Sequence, residues 1–192
     1  MRLAWWRAGL NMLAAPGHAR DAMLTFLFRR LTDTSSSGAS LFESATAIAR
    51  RPHWYVEGRV PDTLDGRFAV LASVLALVLV RLEAEGDEGN ALAVALTERF
   101  IAVMEAEHRE LGLGDPGLGR TVRKLVGALE WRTDAWRLAV GRERGWTTNT
   151  EDSLYKGEAA PEAVEHCAEA LLGLWGKLES ASLEALRQGE LG

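Results

Sequence analysis

Glu105 and His108 have the Glu-x-x-His spacing with which helices bind iron in di-iron carboxylate bundles. Such a site needs a second Glu-x-x-His pair and further glutamates on facing helices. The other candidate glutamates, Glu162 and Glu165, lie beside His166 at the wrong spacing. We therefore interpret Glu105 and His108 as surface residues of a helix, and we predict neither a metal site nor a metalloenzyme.

Asp62 and Asp65 could be read as a paired acid and base. Their place at a helix start explains them more simply, with Asp62 as the N-cap and Asp65 in the first turn, where the helix dipole favours an anion. Cys167 stands next to His166, but adjacent residues do not share a helix face, so the sequence does not predict an activated thiol. Because no nucleophile, base and orienting group come together, we predict no catalytic residue and no enzyme.

A glycine-rich segment covers residues 112–119. It does not follow a predicted strand and contains no Gly-Lys-Ser/Thr, so neither common phosphate-binding motif applies. We predict a helix-breaking turn in which Asp115 caps the next helix and Pro116 is its first residue. The free amides at that helix start could still hold a carboxylate of a partner.

Arg120, Arg123 and Lys124 open a basic segment, residues 120–150, with a net charge of +4. The segments on either side, 61–119 and 151–192, carry −7 and −6, and the whole chain carries −5. Two interpretations stay open: a solvated helix face neutralised by the acidic segments, or a patch for phosphate, ribosomal RNA, anionic lipid or an acidic partner. The overall acidity argues against a DNA-binding protein.

The elements that position these residues are all predicted to be helices. In a chain of 192 residues that is 47% hydrophobic and 26% charged, the composition is that of a folded domain. Apolar residues at helical spacing predict helices over residues 40–50, 62–86, 88–111, 116–142 and 161–187, with loops over 53–61 and 145–150. We expect an all-α fold: a single compact domain of about five to six helices, without a sheet, over residues 40–188, preceded by an extension over 1–39.

The apolar run Phe68–Val80 is shorter than the ~20 residues that cross a bilayer, which indicates a buried core helix. No secretory signal is convincing, and the single cysteine suits a reducing compartment, so we predict a cytoplasmic protein. Residues 23–30 are apolar and then basic, which could give peripheral contact with the inner membrane. Of the seven tryptophans, we expect Trp131, Trp136 and Trp175 mostly in the core, and Trp5, Trp6, Trp54 and Trp146 in contact with membrane or partner.

Three sequence strings carry a family resemblance. They are Val-Pro-Asp-Thr-Leu-Asp-Gly-Arg-Phe at 60–68, preceded by Arg-Arg-Pro-His-Trp-Tyr at 50–55; Arg-Glu-Leu-Gly-Leu-Gly-Asp at 109–115; and Gly-Arg-Thr-Val-Arg-Lys-Leu at 119–125, continuing to Trp136. Over about residues 40–180 the chain resembles the ubiquinol–cytochrome c chaperone family, the cytochrome b assembly factors of mitochondria and α-proteobacteria. It departs from the family pattern at Val103–Glu105, His108, Glu130–Arg132 and Trp136.

The resemblance implies a helical protein without cofactor or catalysis that assists assembly of the ubiquinol–cytochrome c reductase, complex III. The implied client is newly made cytochrome b or another complex III subunit, and the ribosome and a small helper protein are implied as further partners. The motif positions that it marks for partner binding are Asp62, Thr63, Asp65, Arg67, Phe68, Arg109, Asp115, Arg120, Arg123 and Lys124.

The polar residues before the apolar helix have two interpretations. Arg67 could pair with Asp115 or an acidic helix end and so lock the helix start against the glycine-rich segment. Alternatively, Asp62, Asp65 and Arg67 form a docking surface. A rival function is also open: tryptophan-rich helices could line an apolar pocket for a lipid, a quinone or a haem.

Overall fold

The computed structural model describes residues 36–110, 115–155, 157 and 159–191, with the backbone alone for Asp115 and Pro116. Within these ranges the chain forms seven α-helices and no strand, so the all-α prediction is confirmed and the helix count is slightly higher than expected. The helices are α1 over residues 36–49, α2 Leu64–Glu83, α3 Gly86–Glu110, α4 Asp115–Val140, α5 Trp146–Leu154, α6 Pro161–Ser180 and α7 Leu183–Arg187, with a 3-10 helix at Pro52–Trp54.

Helix α2 is the central element. It packs against α3, α4, α5 and α6, and every residue from 72 to 78 is buried. A helix surrounded on all sides must be apolar on all sides, which accounts for the continuous apolar run. The predicted core role of this run is confirmed. Throughout the described ranges, no helix is both long enough and apolar enough to cross a bilayer.

Two segments differ from the predicted helices in the C-terminal half. Residues 146–154, mostly predicted as loop, form α5. The apolar pattern did not signal this helix, because its inward face is built partly from the polar residues Asn149, Thr150 and Ser153. The predicted helix over 161–187 breaks into α6 and α7. The side chain of Ser182 caps α7 by accepting a hydrogen bond from the amide of Ala185 at 3.2 Å.

Helix α1 also differs from its prediction at its start. The helix was predicted to begin at residue 40, but residues 36–39 are already helical and the Ser40 hydroxyl donates to the carbonyl of Ser36 at 3.2 Å. These four residues, predicted as part of the extension, therefore contribute helix, and Gly38 among them lies against the backbone of Ala95. The predicted division of the chain at residue 39 stays a prediction.

The tryptophans are arranged differently from the expectation at two positions. Trp54 is 1% exposed, and its indole donates to the carbonyl of Ile48 at 2.8 Å, so the prediction that it contacts a partner is wrong. Trp131, expected among the core tryptophans, is 45% exposed. Trp136 is fully buried, as predicted, and packs against the half-buried Trp146 at 5.2 Å between ring centroids. Trp5 and Trp6 lie outside the described residues.

Candidate functional site

The polar corner, which we define as Asp62, Thr63, Asp65 and Arg67, lies at the start of α2. Thr63 is the N-cap: its side chain accepts a hydrogen bond from the amide of Gly66 at 3.2 Å. The prediction that Asp62 caps the helix is therefore wrong by one position. Asp65 lies in the first turn as predicted, where the helix dipole favours its negative charge.

An exposed ion pair joins two residues of the polar corner. The Arg67 guanidinium donates from Nε to Oδ1 of Asp62 at 2.6 Å. This contact lowers the pKa of the Asp62 carboxyl and raises that of Arg67. Exposed pairs of this kind stabilise a fold little. The side chain of Asp115, one partner expected for Arg67, lies outside the described residues.

A close backbone approach fixes the geometry of the polar corner. A Cβ atom at Gly66 would collide with the carbonyl oxygen of Pro61, so only glycine fits at this helical position. The same Pro61 carbonyl accepts a hydrogen bond from the amide of Thr63 at 2.8 Å. The turn before α2 is therefore compact, and it holds Asp62 and Arg67 at the surface.

The next residue of the motif, Phe68, connects α2 to α4. Its half-buried ring lies 6.3 Å from the ring of Phe100 and 5.8 Å from the guanidinium carbon of Arg132. The same guanidinium carbon lies 5.4 Å from the ring of Trp131, and one turn before Phe68 the side chain of Leu64 is 65% exposed. We call Leu64, Phe68, Trp131 and Arg132 the aromatic edge.

The Arg132 side chain turns inward. Its guanidinium donates to the carbonyls of Ala128 at 3.1 Å and Ser153 at 2.8 Å, and burial lowers its pKa. Because these partners are uncharged, the positive charge of Arg132 is not neutralised by them. The aromatic edge thus combines exposed apolar side chains with a cation held between two rings.

The remaining cations of residues 120–150 divide into two groups. Arg137 pairs with Glu83 and Asp134, each at 2.6 Å, and Arg144 pairs with Asp152. By contrast, Arg120, Arg123 and Lys124 are exposed, and across the described chain no carboxylate pairs with them. The acidic segments therefore neutralise Arg137 and Arg144. Arg142, just after α4, is exposed as well. The other three lie together on the first half of α4, and we call them the cationic face.

The predicted site residues thus occupy several places. Asp62, Thr63, Asp65, Arg67 and Phe68 lie together at the start of α2. The cationic face is on the first half of α4, and Arg109 is exposed near the end of α3. The glycines predicted to break the chain at 112 and 114 lie outside the described residues, as does the side chain of Asp115, so its capping role stays a prediction.

Among the described residues, the Glu-x-x-His pair on α3 has no metal-binding neighbours. The Nδ1 atom of His108 lies 2.8 Å from the carbonyl of its own helix at Met104. No group of three or more histidine, cysteine, aspartate or glutamate side chains suited to a metal ion occurs in the described part of the chain.

A polar cluster that no sequence pattern predicted lies between the 50–61 segment and α6. There, Nδ1 of His53 lies 3.2 Å from Nε2 of His166, and the Tyr155 hydroxyl donates to the carbonyl of Gly58 at 2.5 Å. Beside them Cys167 is fully buried, and burial raises the pKa of its thiol, which opposes nucleophilic reactivity. The two histidines are 113 positions apart, and no local spacing signals such a pair.

Comparison with known proteins agrees with this architecture. The crystal structure of the Cbp3 homolog from Brucella abortus matches with a TM-score of 0.73 and 26% sequence identity, over 88% of this chain and 94% of that one. No curated protein matches the chain. The family model of the ubiquinol–cytochrome c chaperone matches residues 56–191, which is more than half of the sequence. The chain therefore belongs to the ubiquinol–cytochrome c chaperone family.

Proposed function

We propose that this protein is a non-enzymatic assembly factor of complex III that binds newly made cytochrome b. The observation that carries the proposal is the family match over residues 56–191. A chaperone of this kind acts by covering surfaces of its client until other subunits replace it, so it needs a binding surface rather than a reactive group.

The aromatic edge is the surface that suits such a client best. A newly made membrane protein presents apolar helices and their charged or polar ends. Leu64 and Trp131 are 65% and 45% exposed, and exposed aromatic and arginine side chains are common anchors of protein interfaces. The polar corner adjoins Leu64 and Phe68 at the start of α2, and its exposed Asp62–Arg67 pair can exchange partners at little cost.

The test is complementation of a deletion strain. Loss of the gene should lower spectroscopic cytochrome b and reductase activity, and the combined change Leu64→Ser and Trp131→Ser should do the same with little change in melting temperature. The matched control is Leu172→Ser with Val94→Ser, two apolar residues that are 48% and 57% exposed elsewhere. A normal amount of spectroscopic cytochrome b and normal reductase activity in the deletion strain would contradict the proposal.

Arg67→Ala separates the two interpretations of the polar corner. If the corner docks a partner, melting temperature should stay the same while cytochrome b falls, because the Asp62–Arg67 pair is exposed. If the corner is structural, the melting temperature itself should fall in this variant. Crosslinking from position 67 in the native membrane fraction would show whether the partner is cytochrome b, another complex III subunit or a small helper protein.

We further propose that the cationic face brings the protein to the anionic surface of the inner membrane from the cytoplasmic side. Each basic side chain near such a surface contributes about 1 kcal/mol, and salt screens this attraction. The proposal rests on three exposed cations without a carboxylate partner in the described residues, Arg120, Arg123 and Lys124.

Vesicle co-sedimentation tests this second proposal. We expect binding to vesicles containing phosphatidylglycerol, weaker binding at high salt, and a marked loss when all three residues of the cationic face become alanine. Replacement of Arg50, Arg51 and Arg99, which are also exposed, changes net charge equally and should preserve binding. Intact vesicle binding in the first triple variant, with loss of ribosome co-sedimentation, would instead assign the face to ribosomal RNA.

A further inference from the structure

The pair His53 and His166 joins two elements that are far apart in the sequence, the 3-10 helix and α6. The rings are half-buried, with centroids 5.3 Å apart and planes inclined by 68°. Their facing nitrogens, Nδ1 of His53 and Nε2 of His166, are 3.2 Å apart. The pair is therefore close, reachable from solvent and not stacked.

Neighbouring contacts hold the histidine-bearing segment in place. The Trp54 indole donates to the carbonyl of Ile48 at 2.8 Å, and the Tyr55 hydroxyl donates to that of Ala49 at 2.8 Å. On the α6 side, Gly58 lies close to Cys167. These contacts arrange the two imidazoles before anything binds, which reduces the ordering cost for a ligand that bridges them.

The nitrogen separation fits a single bridging metal ion. Histidine nitrogens bind zinc at about 2.0–2.1 Å, so two nitrogens 3.2 Å apart would subtend an angle of roughly 100° at the ion, close to the tetrahedral value. A direct N–H···N hydrogen bond uses the same two atoms. The metal-bound state requires that each neutral ring carry its single proton on the outer nitrogen and that both inner lone pairs turn toward the ion.

The charges around the pair are mixed. Arg51 is a cation near His53, and the Glu57 carboxylate is an anion on the same segment. Metals bind the neutral imidazole. One turn before His166, Glu162 already pairs with Arg59 at 3.4 Å. Because no third ligand side chain is in place within the described chain, the site would be open, with water completing the coordination.

We propose that His53 and His166 form an open two-histidine site for a divalent transition-metal ion of borderline softness, such as Zn²⁺ or Cu²⁺. Binding would clamp the 50–61 segment to α6. The proposal is independent of the client of the protein, since it rests on the facing nitrogens alone.

The test is titration of untagged, metal-free full-length protein with ZnCl₂, followed by calorimetry and by melting temperature. We expect about one ion per chain and a higher melting temperature with zinc. His53→Ala and His166→Gln should each weaken binding by more than the roughly tenfold change that losing a supporting residue causes. The control His108→Ala removes a histidine on α3 and should bind like the wild type.

A second measurement does not depend on the His53 variant folding. Cobalt titrated into the wild type should give the visible absorption of a four-coordinate ion, and His166→Gln, a change at a half-buried position of the long helix α6, should abolish it. Absence of zinc binding, or binding that survives both variants at wild-type strength, would overturn the proposal.

Discussion

The imidazole of His53 makes the stability of the fold sensitive to acid. Burial is the main cause that lowers its pKa below 6.5, the value expected in the unfolded chain, and His166 and Arg51 lower it further. The unfolded state therefore binds a proton at a pH where the folded state does not. The contribution of His53 to the free energy of unfolding is fully present above the pKa of the unfolded chain. It is lost as the pH falls through the lower pKa of the folded state. We therefore expect the free energy of unfolding to decrease as the pH falls below the unfolded value of 6.5.

Urea unfolding across this pH range, with EDTA present to exclude metals, measures the effect. His53→Gln should make the pH dependence shallower, whereas His108→Gln, which changes a histidine on α3, should preserve it. An unchanged slope in His53→Gln would show that other groups dominate acid sensitivity.

Individual residues were predicted best where local geometry decides their role. Asp65 in the first turn of α2 follows from the helix dipole. Trp54 was misjudged because its loop position suggested exposure, while Ile48 and the core receive its ring and indole N–H. The His53–His166 pair could not be inferred, because only the folding of a loop onto α6 brings the two residues together.

At the scale of elements, the start of α2 depends on a glycine that the capping pattern alone does not explain. Gly66→Ala would push Cβ into the Pro61 carbonyl, so the first turn must shift. We expect a loss of about 1–3 kcal/mol in the free energy of unfolding, the usual cost of overpacking. Gly127→Ala on the exposed side of α4 meets nothing within 4 Å and should instead stabilise by roughly 0.5–1 kcal/mol.

Chemical denaturation of both variants provides the measurement. The two results can be compared directly, because each variant replaces a helical glycine by alanine. A stabilised Gly66→Ala protein would mean that the turn at Pro61 relaxes easily and does not fix the polar corner.

The long helices could be predicted because their apolar periodicity reflects burial against α2. Helix α5 could not, because its buried face includes Asn149, Thr150 and Ser153, whose side chains have buried polar atoms without a protein partner among the described residues. The end of α6 was also missed. There, Arg81 from α2 donates to the carbonyls of Leu178 and Ala181, each at 2.9 Å, and so satisfies a helix end from another element.

At the scale of the molecule, the alternating charge of the sequence is partly consumed within the fold. Arg137 of the 120–150 segment binds Glu83 of the 61–119 segment at 2.6 Å, and Arg144 binds Asp152 of the 151–192 segment, so the acidic segments on both sides neutralise part of the basic one. The sequence left open whether the acidic segments neutralise the basic helix face or leave it free. It named Arg120, Arg123 and Lys124 as candidates, but which cations are neutralised depends on which helices pack together, as the pairing of Arg137 with Glu83 shows.

The C-terminal residues complete the core beside α1. Leu186 and Leu191 belong to the buried apolar cluster, and Gly189, with φ of 80°, lies so close to Ser40 that a Cβ atom would come within 2.8 Å of its carbonyl oxygen. We expect Leu186→Ala to cost about 2–5 kcal/mol, as for other fully buried leucines. The free energy of unfolding of a typical domain is only about 5–15 kcal/mol, so this loss would bring the protein closer to global unfolding.

Leu172→Ala is the matched control, since the Leu172 side chain on α6 is 48% exposed and most such surface changes stay within about 0.5 kcal/mol. Urea unfolding followed by circular dichroism should show one cooperative transition that moves to lower urea for Leu186→Ala alone. Similar midpoints for both variants would mean that α7 is a peripheral addition. A shifted midpoint would instead show that α7, which the sequence did not predict as a separate helix, helps to complete the core beside α1.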